Sequence, residues 1–339
     1  MRGHGVLGIL RRTLRRRLWW LRFQELRREG FVAAARRVKL QRPILRTPPV
    51  RTAPVGVGPV EVRVLTWRRD WVNLLWALKS FYHYAGVDYP LVIHDGGLLP
   101  RQAAELLRHF PDARYVPSLE ADARFPEELR RRGLARSAEY RARNVATRKL
   151  FDYFLDSRAD HVLMIDSDIV FFRRPDELIL PPGGSTRNLY NRDDGFWYSM
   201  TVEEMGEAFG VRPPPRVNSG LAVVRRESID FAAVERYLGH PKMFADPWVT
   251  EQTLHALCSA TWGVEFLPDE YRVGGPPGLT PDLVCKHYPG HTRPLLYREG
   301  MRHLLDVGFV SALRASGSDR GGRSPSLVRD PRDHGSEVK

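Results

Sequence analysis

Cysteine is scarce in this chain, which has two cysteines among 339 residues. Cys258 and Cys285 form neither a CxxC pair nor the Cys/His spacing of a zinc site, and a secreted disulfide scaffold would need more of them. We therefore expect a reducing compartment, with both thiols buried as small hydrophobic side chains. The sequence also lacks an uninterrupted apolar run of the length that a membrane span requires.

Several common catalytic motifs are missing as well. Walker, GxGxxG, GxSxG and HExxH patterns do not occur in a suitable strand–helix context, which argues against the usual NTPases, dehydrogenases, hydrolases and metalloproteases. A sugar nucleotidylyltransferase would carry a Gly-rich, basic phosphate loop after its first strand, and residues 64–70 contain no glycine. The chemistry must therefore come from another cluster of polar residues.

Positive charge is abundant, but it is confined to one segment. The formal net charge is +13, and residues 1–50 contribute +12 of it, with 14 basic residues against Glu25 and Glu29. The remaining residues include 39 basic and 38 acidic side chains, a net charge of +1. A nucleic-acid-binding fold would carry the basic surface on the domain itself, so we expect no nucleic-acid partner. The non-enzymatic alternative is a nucleic-acid-binding protein that acts through this basic leader.

The leader has helical spacing. Leucines recur from Leu7 to Leu21 with arginines between them, and Trp19, Trp20 and Phe23 add aromatic bulk. A signal peptide keeps its charges ahead of an unbroken apolar region, whereas these charges interrupt it throughout. We predict a basic amphipathic helix over residues 1–41, which either lies on an anionic membrane surface through residues 6–40 or packs on the domain. We expect a cytoplasmic protein, which the first alternative would hold peripherally on the inner membrane face.

The rest of the chain alternates between apolar strands and helices. A Pro/Gly-rich linker over residues 42–59 leads into a domain at 60–310, and the polar residues 315–339 are expected to be disordered. The alternation predicts an α/β fold with a mostly parallel, Rossmann-like central sheet and helices on both faces. The predicted strands are Val60–Thr66, Pro90–His94, Arg114–Val116, His161–Ile165, Arg187–Tyr190 and Val217–Val224, and the predicted helices are Trp71–Tyr84, Gln102–His109, Ser137–Leu155, Ser228–Leu238 and Pro247–Ala260.

The most apolar predicted strand ends in two carboxylates. Val162 to Ile165 lead directly into Asp166-Ser167-Asp168. Open parallel sheets bind their ligands at the carboxyl ends of strands, and two carboxylates at this spacing can coordinate one hard cation with its bound phosphates. Such a cation neutralises charge that builds up on a departing diphosphate. The structural alternative is a turn whose Asp side chains accept backbone N–H bonds.

The same carboxylates suggest an alternative enzyme. An apolar strand followed by Asp-x-Asp also looks like the first motif of haloacid-dehalogenase-type Mg-dependent phosphatases, in which the first Asp is a nucleophile and the second a general acid. Asp193 and Asp194 could then serve as the later acidic pair. That motif normally opens its domain, whereas here a βαβα segment precedes it. The phosphatase is therefore the weaker of the two readings.

A second motif lies far downstream, at His287-Tyr288-Pro289-Gly290-His291-Thr292-Arg293-Pro294. Together with the two Asp residues, it resembles the GT-A glycosyltransferases, and most nearly glycosyltransferase family 8, whose C-terminal motif is His-x-x-Gly-x-x-Lys-Pro-Trp. Here Arg293 replaces Lys, and Leu295 replaces Trp. Two further segments resemble that family: Val217 to Leu221 match its Asn-(Ala/Ser)-Gly strand, and residues 251–253 match its Asp-Gln-Asp helix start, departing at the third position.

The resemblance implies a GT-A enzyme of the hexosyltransferase type. It would move a sugar from a nucleoside-diphosphate sugar to a hydroxyl of a glycan, lipid-linked or small-molecule acceptor, with retention of configuration. Mn²⁺ or Mg²⁺ would be held by Asp166, Asp168 and His287, and Glu251 and Gln252 would face the reacting sugar carbon. As an alternative, Thr250 caps the helix and Glu251 is an ordinary first-turn residue. The implied donor contacts are Thr66, Trp67, Lys149, Ser167, Asn218, Ser219, Gly290 and Arg293.

Overall fold

The computed structural model describes residues 31–56, 58–181, 184, 187–244 and 247–319. Its centre is a seven-stranded sheet with the spatial order β3-β2-β1-β4-β7-β6-β8. All of its strands run in one direction except β7, which is antiparallel to both neighbours. The strands are β1 Val60–Thr66, β2 Leu91–Asp95, β3 Arg114–Val116, β4 His161–Ile165, β6 Asn188–Arg192, β7 Val217–Arg225 and β8 Val264–Phe266.

Alternate residues of the central strands pack into two separate cores. Val62 and Leu163 belong to a hydrophobic cluster on one face, whereas Val162 and Met164 belong to a cluster on the other. Successive side chains of a strand point to opposite faces, so an uninterrupted apolar strand requires cover on both sides. The predicted α/β fold, with a mostly parallel central sheet and helices on both faces, is therefore confirmed.

The helices that supply this cover are short to medium in length. No helix of the described residues is both long and apolar enough to cross a membrane. They are α1 Phe31–Gln41, α2 Trp71–Ala85, α3 Pro100–His109, α4 Ser118–Arg131, α5 Ala135–Arg143, α6 Phe151–Asp156, α7 Val202–Phe209, α8 Phe231–Tyr237, α9 Pro247–Ala260, α10 Arg293–Leu295, α11 Arg302–Asp306 and α12 Phe309–Asp319, with a π-helical turn over Leu296–Met301.

The predicted helix Ser137–Leu155 is wrong, because the chain breaks it at Asn144. This residue is extended, with φ −142° and ψ 127°, and its side chain accepts a hydrogen bond from the backbone N–H of Ala146. Asparagine offers the backbone this local alternative to a helix. A 3₁₀ turn over Val145–Lys149 follows and leads into α6. The helix α4 was not predicted, and Pro126 lies inside it.

A second, three-stranded sheet brings the downstream motif back to the first. Its strands are β5 Ile169–Phe171, β9 Tyr271–Val273 and β10 Cys285–His287, in the order β5-β10-β9. The strand β5 begins directly after Asp168, and β10 pairs with it antiparallel so that His287 lies opposite Ile169. This register places the last residue of β10 beside the end of the Asp-Ser-Asp turn.

The predicted boundaries at both ends need revision. The residues expected to form a linker pack on the domain: Arg42–Arg46 form a 3₁₀ turn in which Ile44 is fully buried. The preceding α1 also packs there, because the indole of Trp76 donates to the carbonyl of Gln41 over 3.1 Å. At the other end, α12 continues to Asp319, past the expected start of the disordered tail. The leader residues 6–30 and the tail from 320 lie outside the described residues.

Candidate metal and donor site

Asp166, Asp168 and His287 converge at the carboxyl end of β4. Each offers one ligand atom, and these atoms lie within 4.8 Å of one another. The Nε2 atom of His287 is 3.2 Å from Oδ1 of Asp168 and 4.0 Å from Oδ2 of Asp166. The side chains of Asp168 and His287 are buried, whereas that of Asp166 is 29% exposed. The group therefore opens to solvent on the Asp166 side.

A hydrogen-bond chain fixes the orientation of His287. Its Nδ1 atom lies 3.1 Å from Oδ1 of Asn218, which already accepts from the backbone N–H of Gly220. The amide nitrogen of Asn218 donates to Oδ2 of Asp193 over 2.7 Å, so the carbonyl oxygen must face the imidazole. Nδ1 consequently donates the proton, and Nε2 is the atom directed at the two carboxylates. Metal-binding histidines are usually oriented in this way by their other nitrogen.

The geometry and the donor types fit a divalent cation. Gly220 lies against the group: a Cβ atom there would be 2.3 Å from Cε1 of His287 and 2.9 Å from Oδ2 of Asp166, so only glycine leaves the space free. Two carboxylates and one imidazole suit Mn²⁺, and the oxygen ligands also suit Mg²⁺. A candidate Asp–Asp–His cation site therefore exists in this chain.

Two cationic side chains reach the same carboxylates. Nζ of Lys149 lies 3.0 Å from Oδ1 of Asp166, and Nη2 of Arg293 donates to Oδ2 of Asp168 over 2.6 Å. Arg293 also holds Asp70 with its other amino group. A site with both carboxylates and cationic side chains can accept a metal together with a polyanionic ligand, since guanidinium and ammonium groups bind phosphate.

The charges shift one another's pKa values in opposite directions. Burial raises the pKa of Asp166 above its ordinary value, although Lys149 opposes this shift. Burial acts the same way on Asp168, but His287 and Arg293 outweigh it and hold the pKa of that carboxyl below its ordinary range. Burial would lower the pKa of His287, yet the Asp168 carboxylate raises it. Asp168 and the two cationic groups His287 and Arg293 therefore stabilise one another's charged forms.

The predicted reacting-carbon residues lie beside this group. Ser219 donates its hydroxyl to Oε2 of Glu251 over 2.9 Å, and its backbone N–H donates to Oε1 of Gln252 over 3.2 Å. Oε1 of Glu251 lies 3.1 Å from Nε2 of His255. The amide of Gln252 donates to Oδ2 of Asp193 over 3.2 Å. The polar side-chain atoms of Asn218 and Ser219 already contact protein groups. The expected contacts of these two residues with a sugar stay predictions.

Thr250 does not cap α9. The helix begins at Pro247, so Thr250 lies within the first turn, and its hydroxyl is 2.6 Å from that of Ser199. Glu251 is buried, at 4% exposure, and is therefore not an ordinary solvent-facing residue of a first turn. The alternative interpretation of this segment is wrong.

The remaining predicted donor residues lie at the edge of the site or in its turns. Thr66 ends β1 and is fully buried, and Trp67 packs on Gly96, where a Cβ would approach its ring to 2.8 Å. Ser167 is buried between the two carboxylates. Gly290 has φ +49°, a conformation that favours glycine, and begins the 3₁₀ turn that leads to Arg293. Their contacts with a donor stay predictions.

Two site residues escaped the sequence analysis in these roles. Asp193, considered there only for the phosphatase, orients Asn218 and Gln252. Asp70 pairs with Arg293 from the start of α2. An Asp before a helix is usually a cap, so the sequence contained no signal for the pairing of Asp70. The acidic pair after β6 was a visible signal for Asp193.

No family model matches the chain, and no curated protein matches it. Solved structures of glycosyltransferases resemble it in part. The apo structure of the bifunctional glycosyltransferase WbbM is 16% identical with a TM-score of 0.48, covering 78% of this chain and 53% of that one. Mouse xyloside xylosyltransferase 1 in its apo form is 12% identical with a TM-score of 0.46, covering 72% of this chain and 99% of that one. The galactosyltransferase LgtC, in complex with donor and acceptor sugar analogues, is 14% identical with a TM-score of 0.42, covering 76% of this chain and 95% of that one. The chain spans about half the length of the WbbM chain.

Proposed function

We propose that this protein is a metal-dependent glycosyltransferase of the GT-A type, which moves a sugar from a nucleoside-diphosphate sugar to an acceptor hydroxyl. One observation supports the proposal: the ligand atoms of Asp166, Asp168 and His287 lie within 4.8 Å of one another at the carboxyl end of β4, and Lys149 and Arg293 contact the same carboxylates. A diphosphate ester needs both kinds of partner, a divalent cation and fixed positive side chains.

The chain's own groups divide the work around the leaving diphosphate. A divalent cation, Mn²⁺ or Mg²⁺, held by Asp166, Asp168 and His287 would supply Lewis-acid neutralisation of the diphosphate charge. Arg293, whose side chain is 34% exposed, faces the opening and can offer its remaining N–H groups to phosphate oxygens. Lys149 adds a second positive charge on the Asp166 side.

Glu251 and Gln252 are proposed to face the reacting carbon of the donor sugar. The Glu251 carboxylate is buried, and Ser219 and His255 hold it in place, so it forms a fixed negative charge. Burial opposes ionisation of Glu251, but Lys149 and His255 lower its pKa below the ordinary value and keep it charged. A fixed carboxylate near the anomeric carbon stabilises the positive charge that develops there. Retention of configuration and a hexosyl donor belong to the proposal through the family 8 resemblance.

The acceptor is proposed to bind beside two exposed aromatic residues. Phe196 is 46% exposed and Trp197 is 52% exposed, yet the loop that carries them is tied to the site. The carbonyl of Trp197 accepts from the amide of Gln252 over 3.3 Å, and Ser199 N–H donates to the hydroxyl of Thr253 over 2.9 Å. Flat aromatic faces stack on the apolar faces of sugar rings, so a glycan or lipid-linked glycan is the acceptor class proposed.

Membrane contact is part of the proposal only through the leader. The described part of α1 packs on the domain, with Ala34 and Leu40 buried, so contact with anionic lipids would fall mainly to residues 6–30. A cytoplasmic enzyme held on the inner membrane face would be close to lipid-linked acceptors. Mixing the full chain with vesicles that contain anionic or only neutral lipids tests this step by co-sedimentation.

A donor screen tests the function. Thermal unfolding is measured with UDP-, GDP- and CMP-sugars, each with and without Mn²⁺, and stabilisation is expected from one nucleotide class only when the metal is present. Asp168→Asn should lose that stabilisation. Release of phosphate from a phosphomonoester, with no response to any nucleotide sugar, would replace the proposal with the phosphatase.

A further inference from the structure

Asp70 stands at the start of α2 but does not cap it. Its side chain makes no capping hydrogen bond, and its backbone has φ −109° and ψ 0°. Both carboxylate oxygens instead accept from Nη1 of Arg293, each over 2.9 Å, although the two residues are 223 positions apart. An Asp in this place normally stabilises its own helix by binding a backbone N–H. Here the carboxylate is committed to the candidate donor site.

Arg293 bridges two carboxylates through different amino groups. Nη1 binds Asp70, which is 3% exposed, and Nη2 binds Asp168 over 2.6 Å. Asp70 is therefore a buried fixed point, whereas Asp168 belongs to the cation group. When Asp168 engages a cation, only the Asp70 contact still holds the guanidinium over the site. An arginine side chain without that contact would lose rotational entropy on binding its ligand.

A hydrogen-bond chain continues behind Asp70 to the N-terminal helix. The amide of Asn73 donates to Oδ1 of Asp70 over 3.2 Å and also contacts the hydroxyl of Tyr297. Gln41, the last residue of α1, donates its amide to Oδ1 of Asn73 over 2.7 Å. Asn73 is fully buried and Gln41 is 6% exposed. Buried polar groups with complete partner sets hold one arrangement firmly.

We propose that Asp70 is the positioning residue for Arg293, and that Asn73 and Gln41 make helix α1 a structural part of the diphosphate-binding site. The inference rests on the proposed function, because the ligand of Arg293 is the donor diphosphate. It assigns a role within the site to a segment that looks from its sequence like a separate leader. Loss of Asp70 should weaken diphosphate binding while it leaves the cation ligands in place.

The first test compares the same substitution before two helices. Asp70→Asn removes the charge that holds Arg293, and Asp230→Asn is the matched control because Asp230 caps α8 by accepting from Ala232 N–H. Calorimetry measures the binding of Mn²⁺ alone, and then of UDP, GDP and CMP with Mn²⁺. Asp70→Asn should lower the affinity for the nucleotide about tenfold, the effect of one charge-assisted hydrogen bond, and should leave the affinity for Mn²⁺ alone nearly unchanged. Asp230→Asn should match the wild type, since Asn caps equally well.

A double-mutant cycle separates positioning from general damage. In an Arg293→Ala background, Asp70→Asn should cause no further loss of nucleotide affinity, because its partner is gone. An equal loss in both backgrounds, or unchanged affinity in the single variant, overturns the proposal. If the wild type binds no nucleotide with Mn²⁺, the proposed function itself is wrong. If the wild type binds a nucleotide and Asp70→Asn binds it equally well, only the role of Asp70 is wrong.

The second test lies farther from the site and covers the case in which Asp70→Asn does not fold. Gln41→Ala removes the end of the hydrogen-bond chain, and Lys39→Ala, an exposed position on the same helix, is its control. Gln41→Ala should weaken the Mn²⁺-dependent nucleotide affinity about two- to threefold, the effect of one neutral hydrogen bond, and raise the donor KM more than it lowers kcat. Equal affinity in Gln41→Ala and Lys39→Ala contradicts the role of α1.

Discussion

Two groups of charged side chains lie on this sheet, and they differ in how far they are exposed. One is the candidate cation site. The other, which we call the structural charge cluster, is centred on β1 and consists of Glu61, Arg63, His94, Arg114, Arg124 and Asp156. Arg63 is its centre: it pairs with Glu61 and, over 3.1 Å, with Oδ2 of Asp156, and its side chain is fully buried. Arg124 and Arg114 complete the shell around Asp156.

The two histidines show the difference most clearly. His94 is surrounded by arginines, and burial together with Arg63 holds its pKa well below the ordinary value. His287 faces carboxylates, which raise its pKa against the effect of burial. In the structural charge cluster, arginines therefore occupy the carboxylate oxygens, whereas in the cation site Asp166 keeps 29% of its side chain exposed. The structural charge cluster therefore stabilises the fold, whereas the partly exposed Asp166 can contact a ligand.

The largest effect is expected from Asp168→Asn. The variant loses a cation ligand and with it several kcal/mol of charge stabilisation, so we expect about a thousandfold lower transfer rate. Mn²⁺-dependent transfer is measured by product formation from the donor found in the screen. The melting temperature should fall, because the neutral amide no longer pairs with His287 and Arg293, so the transfer rate is measured at a temperature at which the variant is folded. Unchanged turnover would remove Asp168 from the site.

Arg63→Met should have the opposite profile. It leaves Glu61 and one side of Asp156 without their buried partner, which costs about 3 kcal/mol of unfolding free energy. Urea unfolding measures this loss, and the Mn²⁺-dependent nucleotide affinity of the folded fraction should equal that of the wild type. Arg143→Met is the control, since Arg143 pairs with Glu139 at the exposed surface. A weakened nucleotide affinity would show that the cluster and the site are coupled.

The fold was predictable where the spacing of apolar residues is regular. The strands Val60–Thr66 and His161–Ile165 have the predicted bounds: the second is a nearly continuous apolar run covered on both faces, and the first alternates apolar residues with Glu61 and Arg63. The break at Asn144 was not predictable from periodicity, since the helical pattern continues through it and only the local side-chain hydrogen bond ends the helix. Short-range competition of this kind leaves little trace in the spacing of apolar residues.

The approach of the three candidate ligands was predictable from the sequence, but the residues that support them were not. Asp166, Asp168 and His287 were brought together by a motif resemblance, and the register of β5 with β10 explains their approach. Asp70 could not be found in this way, because its partner Arg293 is distant in sequence and an Asp before a helix already has an ordinary explanation. Supporting contacts depend on the tertiary arrangement, which no local pattern encodes.

Trp197→Ala tests the proposed acceptor contact. Loss of the stacking surface should raise the KM for a saccharide acceptor about tenfold, in line with roughly 1.4 kcal/mol for one aromatic contact, and leave donor hydrolysis in the absence of acceptor unchanged. Trp262→Ala is the matched control: Trp262 is 41% exposed and lies under the guanidinium of Arg225, away from α9's first turn. Equal acceptor KM values for both variants would show that the acceptor does not bind against Trp197.

An effect on stability alone, which is visible only as a pH dependence, is expected from a buried charge outside both groups. Nζ of Lys79 donates to the carbonyl of Pro48 over 2.5 Å, and among the described residues no carboxylate accepts from it. Burial, reinforced by Arg108, lowers the pKa of Lys79 to about 7. The unfolded chain therefore binds more protons than the folded one between pH 7 and the unfolded value of about 10.4, so the unfolding free energy should rise with pH by on the order of 1 kcal/mol per unit there.

Lys79→Met should remove this slope in urea unfolding at pH 7 to 9, because the variant has no proton to lose. A slope that persists in Lys79→Met would assign it to another group. The neighbouring His109 is not that group, because burial and Lys79 lower its pKa and an unfolded histidine has a pKa of about 6.5, so its contribution lies below this pH range.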